Sequence, residues 1–297
     1  MMNEVLIRPA IKEDFKAIAK FILEENKSPQ THCIHSDLRQ GLQATLQEML
    51  RLEETSEICF AIALQNNQCM GAIGCELDEA TGRGWLRGPF VSSALQDWET
   101  IAIELFQKLS EILPSSIHRL DSFLNITNER GHHFYIAQGF RQVRCVHVYV
   151  TQPPEGFPTQ SPNCRELSVE QTQDFIALHD AIFPETYASG QRIVDEMAEA
   201  GRVFVYAEEG TVLGYLYGTI EEDAEEGIVE FLGVREDARG LGVGFQLLQT
   251  ALQWFFQAKG MPQVSLTVND DLTNARSLYE KAGFQLQYTG VNTRKEK

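Results

Sequence analysis

The stretch VEFLGVREDARGLGVGFQLLQ, residues Val229 to Gln249, places three glycines at alternate positions between a β-branched run and an amphipathic segment. These glycines are Gly240, Gly242 and Gly244. Glycine inside a helix or strand costs about 1 kcal/mol relative to alanine, so such a cluster at a strand-to-helix turn indicates a backbone that side chains would obstruct. The sequence therefore predicts that a ligand approaches the main chain here.

The segments around this turn predict a mixed α/β arrangement for the second half of the chain. After the turn, one helical stripe is formed by Phe245, Leu248, Leu252 and Phe255. Before it, RVFVYAEEGTVLGYLYGTI predicts a hairpin with a glycine-containing turn, and GIVEFLGV predicts a further strand. After it, QVSLTV predicts a strand, and TNARSLYEKAG predicts a helix that ends at Gly283.

Three phosphate-binding designs can be compared with the glycine turn. A nucleoside triphosphate loop requires a lysine that is absent here. A dinucleotide fingerprint requires a third glycine and an acidic residue about 20 positions on, and neither is present. A helix start whose unpaired N–H groups converge on a diphosphate fits the pattern. The alternative is a tight strand-to-helix turn with incidental glycines.

Residues Arg239 to Gly244 resemble the [QR]xxGx[GA] pyrophosphate loop of the GNAT (Gcn5-related N-acetyltransferase) superfamily. The stretch VNDDLTNARSLYEKAGF, some thirty residues later, resembles the second signature of this family. The matching residues are Asn274, Ala275, Leu278, Tyr279, Glu280, Gly283 and Phe284. Two motifs in the family's order make this resemblance specific over about residues 165–290.

The resemblance implies an acetyl-CoA-dependent N-acetyltransferase that moves an acetyl group directly from the thioester to a primary amine of a small acceptor. It implies that Tyr279 protonates the leaving thiolate and that the cofactor contacts Leu232, Gly233, Val234, Arg239, Gly240, Leu241, Gly242, Val243, Gly244 and Asn274. Glu230 is the best candidate for the base, acting directly or through water; alternatively it is a surface carboxylate of its strand. No metal is expected, because the histidines and cysteines lack ligand spacing.

The first half of the chain repeats this order less clearly. Asn128, Phe134-Tyr135 and Gly139-Phe140 echo the second signature and indicate an internal duplication. No glycine turn occurs in the corresponding loop, residues 92–99, and two acids occupy it. The sequence therefore predicts an α/β (α+β) protein with two GNAT-like domains, each a mixed, mostly antiparallel sheet flanked by helices. The expected divisions are a degenerate domain at 1–152, a proline-rich linker at 153–162 and a catalytic domain at 163–297.

A formal net charge of −17 argues against nucleic acid or an anionic membrane as a partner. The N-terminus has no signal-peptide apolar core, and six scattered cysteines indicate reduced thiols. We therefore expect a cytoplasmic protein, either a monomer or a homodimer. Two other functions stay open at this point: a coenzyme A sensor or interaction module that turns nothing over, and an acyltransferase that uses a longer acyl-CoA.

Overall fold

Two units make up the chain, and each has its own apolar core. Unit 1 comprises Met1–Val146 and Tyr288–Lys297, and unit 2 comprises His147–Gln287. The structure is a computed structural model that describes residues 5–36, 41–184, 186, 188–222, 225–269 and 273–296, without the side chains of residues 198–200, 273 and 274.

Unit 1 begins with a strand and two helices and continues with a three-stranded meander. Its elements are β1 (Leu6–Pro9), α1 (Phe15–Glu25), α2 (Gly41–Glu54), β2 (Ile58–Gln65), β3 (Gln68–Asp78), β4 (Arg83–Val91), α3 (Trp98–Ile112), β5 (Arg119–Asn125), α4 (Glu129–Ala137) and β12 (Gln285–Glu296). Its strand order is β1-β2-β3-β4-β5-β12, in which β4 and β5 are parallel and the other neighbours are antiparallel. Strand β6 (Arg141–Thr151) begins in unit 1 and ends in unit 2.

Unit 2 repeats this plan with the strand order β11-β10-β9-β8-β7. Strand β10 is antiparallel to β9 and parallel to β11. The elements are β7 (Cys164–Glu166), α5 (Thr172–Ile182), α6 (Gly190–Ala200), β8 (Gly201–Glu208), β9 (Thr211–Glu221), β10 (Glu226–Val234), α7 (Val243–Gln253), β11 (Gln263–Asn269) and α8 (Thr273–Lys281). A π-helical turn, Trp254–Ala258, extends α7.

The sheet of unit 2 is buried on both faces, because alternate residues of its strands enter two different apolar clusters. Phe204 and Leu216 pack with α7 and α8, whereas Val205 and Tyr215 pack with α5 and α6. Unit 1 has one large cluster in which α1, α2 and α3 cover the sheet. Phe245, which the helical stripe placed in the core, is only half-buried, and the Lys281 ammonium lies 4.5 Å from its ring centroid.

The last strand of the chain belongs to unit 1, which differs from the predicted division at residues 163–297. Residues Gly290 to Glu296 of β12 pair antiparallel with Asn125 to Arg119 of β5. Beside this pairing, the fully buried carboxylate of Asp121 accepts from Arg83 Nε at 2.7 Å and from Arg294 Nε at 2.8 Å. No local pattern encodes such a long-range pairing, so a boundary drawn from composition could not find it.

The predicted linker at 153–162 lies within unit 2 and packs against it. Phe157 lies with its ring centroid 6.2 Å from that of Phe256 in the π-helical turn. The prolines remove backbone donors, which explains the absence of regular structure from 152 to 161, but they do not separate this segment from the core.

The internal duplication read from the sequence appears as two helix ends with the same geometry. Gly139 and Gly283 both have positive φ, +85° and +93°. Phe140 N–H donates to the carbonyl of Tyr135, and Phe284 N–H donates to that of Tyr279, at 3.0 Å in both cases. These are the hydrogen bonds of a Schellman cap, which requires a left-handed residue that glycine supplies without strain.

The predicted fold class is confirmed: both units are mixed, mostly antiparallel sheets flanked by helices. The strands predicted around the glycine turn are present as β8 to β11, and the helices as α7 and α8. None of the described helices has the length and apolar character that crossing a bilayer requires.

We expect Arg294→Leu to destabilise the chain by about 1–3 kcal/mol, because the buried Asp121 carboxylate loses one of its two charged donors. Equilibrium urea unfolding measures this change. The matched control is Arg119→Leu, whose ion pair with Glu296 spans the same two strands but is exposed, and which should cost less than about 1 kcal/mol. Equal losses in the two variants would contradict the importance of the buried pair.

Candidate functional site

The glycine turn, Arg239 to Gly244, requires glycine for its backbone conformation at two positions. Gly240 has φ +79° and Gly242 has φ +82°, in the left-handed region. Among the described residues, a Cβ added to Gly240 would meet no atom within 4 Å, and one added to Gly242 would approach only Gln246 Nε2, at 3.9 Å. The space beside both residues is therefore open, and a ligand can reach the main chain.

The missing side chain of Gly244 also has a packing role, which the sequence did not predict. A Cβ on Gly244 would lie 3.3 Å from Leu278 Cδ2 and 3.6 Å from Val234 Cγ2. Its missing side chain therefore makes room for α8 and the end of β10. Close packing of α7, α8 and β10 brings the two sequence motifs together at this turn.

The start of α7 presents backbone donors that the helix itself cannot satisfy. The N–H of Gln246 donates to the carbonyl of the N-cap residue Gly242 at 3.1 Å, which closes the first turn of α7. The N–H groups of Val243, Gly244 and Phe245 precede this bond, and the N-cap residue Gly242 has no side chain to accept from them. Together with the helix dipole, these donors form an anion-binding helix start.

Strands β10 and β11 separate beside this helix start. Their parallel pairing covers Glu226 to Val229 and ends at Val229 opposite Leu266, although β10 continues to Val234 and β11 to Asn269. We call the side of β10 that faces β11 from Glu230 to Val234 the strand gap. Within the described chain, no strand pairs with β10 along this gap.

Two peptide groups of β10 point into the strand gap. The N–H of Arg235 donates to the Leu213 carbonyl of β9 at 2.9 Å, and Gly233 lies opposite Tyr215 in the same register. Because alternate residues of a strand direct their N–H and C=O groups to opposite neighbours, Leu232 and Val234 point away from β9. The peptide groups of Leu232 and Val234, which the sequence predicts to contact the cofactor, therefore face the strand gap.

Gly233 does not direct its N–H group to the gap. A Cβ at this position would lie 2.5 Å from the Tyr215 ring, so its glycine makes room for that ring. Arg239 links the gap to the glycine turn, since its Nε donates to the Val234 carbonyl at 3.2 Å while the residue remains exposed.

Glu230 occupies a β-bulge at the point where β10 and β11 part. Val229 lies opposite Gly218 and Phe231 lies opposite Tyr217, so Glu230 is the extra residue. Bulges bend a strand and redirect a side chain, and they occur often beside active sites. The half-buried Glu230 carboxylate accepts from Thr219 Oγ1 at 2.9 Å. Burial, with the nearby negative charges of Glu230 and Glu196, raises the pKa of Tyr217.

Tyr279 lies in the apolar cluster that includes α7 and borders Leu232 and Val234. Its ring centroid lies 6.4 Å from that of Tyr149 and 6.0 Å from that of Phe284. Burial raises the pKa of Tyr279 to about 12, so its phenol stays protonated at neutral pH. A protonated phenol is a suitable proton donor for a leaving thiolate.

The remaining predicted site residues also lie on the glycine turn or α8. Leu241 is exposed and Val243 is buried. Asn274 is in α8, but its side chain lies outside the described residues. The described residues hold no group of three or more histidines, cysteines or acids that could bind a metal.

In unit 1 the helix start that corresponds to the glycine turn is satisfied by a protein carboxylate. Asp97 caps α3: one of its oxygens accepts from Thr100 N–H at 3.1 Å, and the other accepts from Thr100 Oγ1 at 2.7 Å. These bonds hold the pKa of Asp97 below its usual value. The Asp97 carboxylate would repel an anionic ligand here, and the Thr100 N–H already donates to Asp97 rather than to a ligand.

The gap between β4 and β5 of unit 1 is filled by the chain itself. Their parallel pairing ends at Trp85 opposite Asp121, and beyond it Cys33 forms a β-bridge with Leu124. Gly88 N–H donates to Cys33 Sγ at 3.3 Å, and His35 Nδ1 donates to the Leu86 carbonyl at 3.0 Å. The backbone groups that are open in unit 2 therefore have protein partners in unit 1.

The hydroxyl of Tyr135, the counterpart of Tyr279, also has a protein partner. Its hydroxyl donates to the Gly88 carbonyl at 2.7 Å inside the core, and burial raises its pKa well above the usual value. The sequence predicts that the first half has lost its cofactor site. Three features of unit 1 support this prediction: the Asp97 cap, the inserted segment at Cys33 and the hydrogen-bonded hydroxyl of Tyr135.

A buried polar pair in unit 2 has no recognisable signature in the sequence. His179 of α5 is fully buried; its Nδ1 accepts from the Tyr215 hydroxyl at 2.6 Å, and its Nε2 donates to the Ala188 carbonyl at 2.8 Å. The next residue, Asp180, accepts from Gly190 N–H at 2.8 Å. These bonds fix the end of the α5–α6 connection, close to Phe231 beside the bulge.

Comparison with known proteins agrees with this geometry. Residues 172–284 match the model of the acetyltransferase (GNAT) family. The matched residues lie within unit 2. Among curated relatives, a mycothiol acetyltransferase of Streptomyces avermitilis is 29% identical over 130 residues, which are 41% of this chain and 42% of that protein. The chain thus matches less than half the length of this relative.

Solved structures extend the likeness in fold to the whole chain. A GCN5-related N-acetyltransferase from Sphaerobacter thermophilus has a TM-score of 0.71 at 17% identity and covers 98% of this chain and 95% of its own. A tandem GNAT protein from the clavulanic acid biosynthesis pathway has a TM-score of 0.67 at 12% identity, covering 99% and 98%. The fold of the whole chain is therefore similar to the folds of these two proteins.

We expect Tyr215→Phe to lower the free energy of unfolding by about 1–3 kcal/mol, because the buried His179 Nδ1 would lose its donor. Thermal or urea unfolding measures the loss. Tyr206→Phe is the control, since the Tyr206 hydroxyl bonds to the exposed Glu208 and water can replace it. Equal losses of unfolding free energy in Tyr215→Phe and Tyr206→Phe would contradict a stabilising role for the buried hydrogen bond.

Proposed function

We propose that this chain is an acetyl-CoA-dependent N-acetyltransferase whose catalytic unit is unit 2. The observation that carries the proposal is the uncapped glycine turn beside the strand gap, with the protein's own atoms closing both features in unit 1. The GNAT family match over residues 172–284 supports the same reaction class.

The residues of the turn suit the diphosphate of coenzyme A. The N–H groups of Val243, Gly244 and Phe245 would donate to it, and the open space at Gly240 and Gly242 would admit it. Arg239, held by the Val234 carbonyl, would supply positive charge at the same place. A chain with net charge −17 needs such local donors to attract a polyanion.

The strand gap suits the pantetheine arm and the thioester. Peptide groups of Leu232 and Val234 would hydrogen-bond the arm as a neighbouring strand would. When bound, acetyl-CoA supplies an activated acetyl group as a thioester. An N–H donor of β10 directed at the acetyl carbonyl would stabilise the negative charge that develops on its oxygen.

Transfer requires a neutral amine and a proton for the departing sulfur. Glu230, at the bulge, would accept the amine proton directly or through water as the C–N bond forms. Tyr279 would donate its phenolic proton to the sulfur as the C–S bond breaks. A thiolate is a tolerable leaving group, so this second transfer accelerates the reaction without being indispensable.

The acceptor is proposed to be a small primary amine. The curated relative's name, mycothiol acetyltransferase, supports a small-molecule acceptor. Exposed acidic residues on the β9–β10 hairpin, Glu221, Glu222 and Glu225, favour a cationic one. Glu226, which the sequence places in the same acidic run, is instead buried and accepts from Gln263 Nε2 at 3.4 Å.

Gly242→Asp should weaken acetyl-CoA binding at least about tenfold, because a carboxylate would enter the open space and repel the diphosphate. Isothermal titration measures the dissociation constant. Gly210→Asp is the matched control: Gly210 has φ +84° and nothing within 4 Å of an added Cβ, so the backbone cost and charge are alike. Undiminished binding by Gly242→Asp, or no binding by the wild type, would overturn the proposal.

Tyr279→Phe should slow thiol release from acetyl-CoA about 10- to 100-fold with a panel of amines, while the dissociation constant of acetyl-CoA stays the same. Tyr149→Phe, which alters the neighbouring ring, is the control. Because the pKa of Tyr279 is about 12, its acid form persists as pH rises, and ionisation of Tyr279 should not reduce the wild-type rate between about pH 8 and 10. Thiol release by no amine would favour the sensor, and a preference for longer thioesters would revise the donor.

A further inference from the structure

A cavity of about 300 Å³ lies between α7 and the proline-rich segment 158–162. Its helical wall consists of Gln246, Gln249 and Thr250, and its other wall is that segment. We call it the linker cavity. Its volume is at the lower end of small-molecule sites, roughly 300–1,000 Å³, so it suits a group the size of one heterocyclic base.

The lining of the linker cavity is uncharged. Carboxamides of Gln160, Gln246 and Gln249 supply both donors and acceptors, hydroxyls add more, and two prolines supply apolar surface. A phosphate or an ammonium group would have no opposite charge here. A flat, neutral ring with donors and acceptors on its edge, such as a purine, matches this chemistry.

The wall formed by the segment is held in place by its own contacts. Phe157 packs on Phe256 at one end, and the Ser161 carbonyl accepts from Cys164 N–H at 3.0 Å at the other. On the helix, Thr250 Oγ1 donates to the Gln246 carbonyl at 2.9 Å. The cavity is therefore built before any ligand arrives, which reduces the ordering cost of binding.

The linker cavity adjoins the glycine turn through Gln246. The N–H of Gln246 bonds to the Gly242 carbonyl, and Gln246 Nε2 is the nearest atom to the open space beside Gly242. Gly244 of the same helix turns instead toward Leu278 of α8 and Val234 of β10. A ligand crossing the start of α7 from the strand gap would thus meet the cavity after the turn.

We propose that the linker cavity binds the adenine base of coenzyme A, with the proline-rich segment as one wall of the site. This inference rests on the proposed function, because the diphosphate at the glycine turn fixes how far the base can reach. It gives segment 158–162 a binding role in addition to its role as a connection.

The test compares acetyl-CoA with S-acetyl-4′-phosphopantetheine by isothermal titration; this shorter thioester keeps one phosphate for the glycine turn and lacks the 3′-phospho-AMP portion that carries the base. Gln249→Trp should fill the cavity and weaken acetyl-CoA about tenfold or more, toward the affinity of the truncated thioester, whose own affinity should not change. Gln249→Ala keeps the cavity open but removes one hydrogen bond, so a loss of about 3- to 10-fold is expected for acetyl-CoA alone.

Gln253→Trp and Gln253→Ala are the matched controls. Gln253 lies one turn further along the same side of α7, bonds to Gln257 and is not among the lining residues. Melting temperatures check that each variant is folded. The inference is overturned if the wild type binds both ligands equally, or if the Gln249 variants weaken both ligands or neither. Binding of neither ligand by the wild type would instead overturn the proposed function itself.

Discussion

The parting of β10 and β11 after Val229 is the constraint on which the rest of unit 2 depends. A backbone N–H without a partner costs free energy comparable to a lost hydrogen bond unless water or a ligand satisfies it. Within the described residues, Leu232 and Val234 have no strand partner on this side, and the bulge at Glu230 lies where β10 parts from its parallel neighbour. The glycine turn continues this row of donors onto the start of α7, so strand and helix together present an extended set of backbone N–H groups.

Unit 1 satisfies the corresponding groups from within. Asp97 caps the helix, Cys33 and His35 bond to β4 in the gap between β4 and β5, and the Tyr135 hydroxyl donates to the Gly88 carbonyl. The two units therefore share an architecture and differ in whether the backbone groups at the helix start and between the two parallel strands have partners within the protein. This difference is physical evidence for assigning catalysis to unit 2, because it does not depend on which residues resemble a motif.

Much of this arrangement could be predicted from the sequence, and the reason is that the predictable features are local. Gly240, Gly242 and Gly283 each have a positive φ, which a side chain would strain, so their positions mark a turn and a helix end. The bulge at Glu230 and the segment at Cys33 could not be predicted, since both depend on pairing between distant strands. The buried hydrogen bond between His179 and Tyr215 could not be predicted either, because two polar residues 36 positions apart in the chain show no characteristic spacing.

The last strand shows why unit 1 is more than a remnant. Helix α8, which carries Tyr279, ends at Lys281, and the chain enters unit 1 at Tyr288. Strand β12 then completes the sheet of unit 1 beside the buried Asp121. A piece cut out at residue 163 would carry this strand away from unit 1 and leave β5 without its antiparallel partner. The fold of unit 1 therefore depends on residues that follow unit 2 in the chain.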